Sequence, residues 1–80
     1  MTYYFIVNNY VGNCLLFWAK DSCGYTCDVA KAQLYSEEEA MKTMRLGECA
    51  IPFEDVMAGV RTMADGQYVS RKNQIRRTSQ

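Results

Sequence analysis

The chain predicts an α+β fold: an antiparallel β-sheet of three to five strands packed against one main α-helix over about 36–46, with room for a short second helix. Three observations predict it. Two apolar runs rich in aromatics stand near the start, at Tyr3-Tyr4-Phe5-Ile6-Val7, which is also β-branched, and Cys14-Leu15-Leu16-Phe17-Trp18-Ala19. A capping box, Ser36 with Glu39, opens the central helix. Turn-forming residues punctuate the rest, so the pieces connect most simply as a meander.

The first run is apolar at odd and even positions alike, as a central strand covered on both sides would be. Asn8-Asn9 and Gly12-Asn13 turn the chain into the second run, and Lys20-Asp21-Ser22-Cys23-Gly24 turns it again into a short third strand, Tyr25-Thr26-Cys27. Asp28 to Leu34 reads as a loop or a single helical turn. At Ser36 the hydroxyl is expected to accept from the Glu39 N–H while the Glu39 carboxylate accepts from the Ser36 N–H, and Tyr35 is placed to staple against Ala40. Ala40, Met41 and Met44 form the inward stripe, Lys42 and Arg45 suit the helix end, and Gly47 stops it in a left-handed conformation. Glu48-Cys49-Ala50-Ile51 reads as a strand ended by Pro52, and Phe53 to Ala58 as a short helix stopped by Gly59. Asp65-Gly66, between 60–64 and 67–70, has the composition of a hairpin turn. The reading is thus one domain over 1–70 followed by a basic, flexible tail over 71–80, in which Ile75 is the one apolar residue.

Composition narrows the chemistry. The 80 residues suffice for one domain, and 49% hydrophobic content is too high for a disordered chain. There is no histidine, which removes the common proton shuttle, the Ser-His and Cys-His dyads and every imidazole-ligated zinc site. No Gly-rich phosphate loop or pair of acids at catalytic spacing appears, so the chain reads as a binding protein rather than an enzyme. The start lacks the basic region of a signal peptide and no apolar run is long enough to span a bilayer, so a cytoplasmic location is expected, with Cys14, Cys23, Cys27 and Cys49 reduced. The Cys23-x3-Cys27 spacing suits half of a four-thiolate zinc site, but Cys14 and Cys49 form no second knuckle. The expectation is no metal and no cofactor.

Charge is placed unevenly. Residues 1–70 hold five bases and nine acids, a net of −4, while Arg71, Lys72, Arg76 and Arg77 give the tail +4. Glu37, Glu38 and Glu39 in one helix start and Glu54 and Asp55 in the other favour the helix dipoles, and they also project negative potential. Both parities of the first two strands cannot be buried if helices cover one face, so some of Tyr4, Trp18, Tyr25 and Tyr68 should be exposed, as on a protein-binding surface. Glu37, Glu38, Glu54 and Asp55, with Trp18 and Tyr25 as anchors, are therefore the candidate partner-binding set. The alternative is nucleic-acid contact through Arg71, Lys72, Arg76 and Arg77.

The stretch Leu15-Leu16-Phe17-Trp18, then Gly24-Tyr25-Thr26-Cys27-Asp28, then Ala32 and Tyr35-Ser36-Glu37-Glu38-Glu39-Ala40 resembles short phage and prophage proteins, among which are anti-CRISPR inhibitors of type I effector complexes. The resemblance covers about half the chain. It implies stoichiometric, cofactor-free binding to a host defence complex in a bacterial cytosol, which would block DNA access. Monomer and homodimer both stay open, since a second copy could equally cover a two-sided apolar strand pair. It carries no inhibitor motif, so the candidate residues above rest on charge and exposure.

Overall fold

A computed structural model describes residues 1–22, 24–60 and 64–76. Six strands form one antiparallel sheet: β1 Tyr3–Val11, β2 Cys14–Trp18, β3 Tyr25–Thr26, β4 Leu34–Ser36, β5 Cys49–Pro52 and β6 Ile75–Arg76, with helices α1 Glu37–Thr43 and α2 Phe53–Ala58. The class is the α+β expected, and the sheet is larger than the sequence suggested. The order is β3-β2-β1-β5-β6, with β4 also on β1. Tyr4 pairs with both Tyr35 and Pro52, and Val7 pairs with both Phe17 and Cys49. β2 and β4 therefore share one edge of β1, end to end, and β5 takes the other. The β1–β2 register shifts between Val7 and Asn9, a bulge at Asn8.

Alternation along β1 feeds two cores. Phe5 and Val7 join Leu15, Phe17, Ile51 and Val56 of α2 on one face. Tyr4 and Ile6 join Ala50, Ala40 of α1 and Met44 just after it on the other. This is why the first run is apolar at both parities: a helix covers each face. The loop that precedes β4 and the segment after α2 complete the first core through Ala32, Ala64 and Val69. Gly59 permits that closure, since a Cβ there would lie 2.5 Å from Val69 Cγ2 and 2.8 Å from its backbone nitrogen.

Several local expectations are corrected. The capping box forms, with Glu39 N–H donating to Ser36 Oγ at 3.2 Å and Ser36 N–H donating to Glu39 Oε1 at 3.1 Å. The helix stops at Thr43 instead of about 46, because Met44 leaves the helical region (ψ 139°). Gly47 is left-handed (φ 87°), but it serves a turn in which Glu48 N–H donates to the Arg45 carbonyl at 3.0 Å. Met41 is exposed rather than inward; of the four rings among which some were expected at the surface, Tyr25 and Tyr68 are exposed, Trp18 is half-buried and Tyr4 is buried.

Asp65-Gly66 makes no hairpin. The Asp65 carboxylate accepts from Gln67 N–H and its carbonyl from Tyr68 N–H, so 67–68 stay in a turn, while Gly66 N–H donates to the Asn13 carbonyl. The strand expected over 60–64 has residues 61–63 outside the described set. Beyond residue 70, Ile75–Arg76 pairs with Cys49 and Ala50, and Ile75 packs on the α1-side core. Ile75–Arg76 is thus the edge strand of the sheet, reached through a turn over 71–74, and Arg77 lies outside the described residues.

Candidate functional site

β4 and β5 run antiparallel to β1 on opposite edges, so both end beside its first residues. Ser36 pairs with Tyr3 and leads directly into α1; Pro52 pairs with Tyr4 and leads directly into α2. The topology therefore delivers both acidic helix starts to one end of the molecule. Tyr4 marks their convergence. Its hydroxyl reaches Glu37 Oε1 at 3.5 Å, and its pKa is raised, first by burial and then by the charges of Glu37 and Glu54. A cleft of about 410 Å³ opens beside it, between Thr2, Tyr4, Pro52, Glu54, Asp55 and Asn73. Asp55 accepts from the Asn73 amide at 3.3 Å. Tyr3, 47% exposed, stands on the same end.

Three of the four candidate acids, Glu37, Glu54 and Asp55, are thus brought together. Glu38, next to Glu37 in the first turn of α1, is not placed with them in this way: it forms an exposed i,i+4 pair with Lys42 at 3.3 Å.

Trp18 and Tyr25 form a separate cluster. Their rings meet edge to face, with centroids 5.5 Å apart, and the Arg45 guanidinium lies 5.4 Å over the indole. Trp18 is half-buried and its Nε1–H donates to Glu48 Oε2 at 2.8 Å, so its polar edge is committed within the fold. Tyr25 is the exposed member.

Glu48 was not among the sequence candidates. It is 2% exposed, and its carboxylate accepts from Trp18 Nε1, the Asn8 side-chain amide at 2.8 Å and the Arg45 backbone N–H at 2.7 Å. The bulge in β1 falls at Asn8, which supplies one of these donors. The donors lie 40, 30 and 3 residues away in sequence, so no local signal marks the site.

The cationic candidates divide as well. Arg71 and Arg76 line one cleft beside Val7–Tyr10 and Cys49, whereas Lys72 is exposed in a turn. Arg71 Nη1 donates to Gln74 Oε1 at 3.0 Å and approaches Cys49 Sγ at 3.5 Å, and its guanidinium lies 5.4 Å over the Tyr10 ring. Burial, then the charge of Arg76, lowers its pKa.

Cys14, Cys27 and Cys49 are free thiols, Cys23 lies outside the described residues, and no group of three metal-ligating side chains occurs among the described residues. Burial pushes the Cys14 thiol up to about 12, with Cys27 and Asp65 adding to it, and burial also raises Cys49. Among the described residues, no helix is long and apolar enough to cross a membrane. No family model, curated protein or solved structure matches the chain.

Proposed function

We propose that the protein is a stoichiometric, non-enzymatic inhibitor that docks its acidic end onto a basic, nucleic-acid-binding surface of a host protein complex. The resemblance of its motifs to anti-CRISPR proteins makes a type I effector complex the partner to test. The observation that carries the reading is the placement of Glu37, Glu54 and Asp55 around Tyr3 and Tyr4 by two strands that end together.

Carboxylates held on short helices beside the exposed Tyr3 ring suit a surface of arginines and lysines, because the charges steer encounter and the ring supplies contact area. Inhibition then follows from occupancy: a groove whose cations are engaged by carboxylates is closed to phosphates. Neither a cofactor nor a reactive side chain is required.

The test is the affinity of a purified type I effector complex for its target DNA, measured with increasing amounts of the protein. The expected result is loss of DNA binding that saturates at a fixed stoichiometry. DNA binding unchanged at excess protein would contradict the reading.

A further inference from the structure

We propose that the cleft on the opposite stretch of β1 binds a phosphate-bearing ligand through Arg71 and Arg76. The cleft has a volume of about 390 Å³ and is lined chiefly by Asn8, Tyr10, Gly47, Cys49, Arg71 and Arg76. None of its lining residues is an acid. The two guanidiniums come to it from different places: Arg76 from β6, held by pairing with Cys49, and Arg71 from the turn before it.

Neither arginine forms an ion pair with a described acid. Glu48, whose charge acts on Cys49, does not line the cleft and has its carboxylate engaged by Asn8, Trp18 and the Arg45 backbone. Arg71 instead has neutral company: the Gln74 carbonyl oxygen, the Cys49 sulfur and the Tyr10 ring. A guanidinium carries five N–H donors in a rigid fork. The described hydrogen bonds of Arg71 use Nη1 alone. The fork is therefore positioned, partly desolvated and left with donors and charge to spare.

Two like charges held in one concavity call for an anion. A phosphate monoester, with close to two negative charges and three acceptor oxygens, matches two forks better than a single carboxylate does. The cleft is at the small end of the range for ligand sites, large enough for a phosphate and the group that bears it. Tyr10, 47% exposed at the rim, offers a ring to a sugar or base. Such a phosphate can come from a free nucleotide or from a polynucleotide.

Calorimetric titration with adenosine monophosphate, adenosine and a short oligothymidylate tests the assignment. Saturable binding of the monophosphate, with adenosine silent, places the source in a nucleotide; binding of the oligothymidylate alone places it in a polynucleotide. In either case Arg71→Gln and Arg76→Gln should each weaken binding about tenfold or more, the loss of one charge-assisted hydrogen bond. Lys31→Gln, which removes the same charge elsewhere on the surface, should change it less than about twofold by screening alone. Arg76 is exposed, so its variant is expected to keep the wild-type melting temperature even if Arg71→Gln unfolds. Glu37→Lys should leave phosphate binding in place, which separates this site from the acidic end. Binding of neither phosphate probe, or equal weakening by Lys31→Gln and Arg76→Gln, would overturn the proposal.

Discussion

Glu48 joins three parts of the molecule that are distant in sequence: the β1 bulge at Asn8, the end of β2 at Trp18 and the backbone after α1 at Arg45. Replacing it with alanine removes the shared acceptor of three neutral donors, at a cost of about 1–3 kcal/mol for each donor that water cannot reach. Glu48→Gln keeps an acceptor and should cost less. Urea midpoints at constant m-value would measure both. Thiol and phenol burial sets a second prediction. Cys14, Cys49, Tyr4 and Tyr35 all have pKa values raised by burial. A raised acid keeps its proton in the folded state after the unfolded chain has lost it, so stability falls as pH rises. The loss should begin near the ordinary thiol value of 9.0 and continue towards 12, by at most about 1.4 kcal/mol per pH unit per group. Denaturation midpoints followed across that interval would show a falling curve, with a shallower slope for Cys14→Ala.

The capping box was legible because its donors and acceptors lie within four residues of each other and owe nothing to the rest of the fold. Ser36→Ala should therefore cost about 1 kcal/mol, read as a lowered melting temperature, with binding at the cationic cleft unchanged. Elements that depend on distant partners were harder to read. β4 is three residues long and exists because Tyr3–Phe5 present an open edge to it; within the sequence, Leu34 closes an ambiguous stretch and Tyr35-Ser36 read as the lead into the helix. β6 has one apolar residue and is held by β5. The Asp65-Gly66 signal named a turn correctly, but the Asp65 side chain and carbonyl captured the Gln67 and Tyr68 N–H groups and closed the turn on itself. The apolar parity of β1 was readable as a two-faced strand; α2 covers one face and α1 the other, so Tyr4 is buried, and the rings left exposed among the four named are Tyr25 and Tyr68.

At the scale of the molecule, β1 organises charge. Its first residues lie between two acidic helix starts, and its later residues border the Arg71–Arg76 cleft. The sequence reading separated an acidic body from a basic tail. The structure instead folds residues 71–76 onto the sheet, so the two charge sets become two faces of one body. The acids could be nominated from sequence because helix starts are recognisable. Their grouping could not, since it depends on which strand ends meet. The same grouping separates Glu38, engaged with Lys42, from Glu37 and Glu54 beside Tyr4. The most direct measurement is therefore the affinity for a type I effector complex of Glu37→Lys, Glu54→Lys and Glu38→Lys, three substitutions of identical charge. The account predicts losses of about tenfold or more for the first two and less than about threefold for the third. Equal losses for all three, or none for Glu37→Lys and Glu54→Lys, would contradict it.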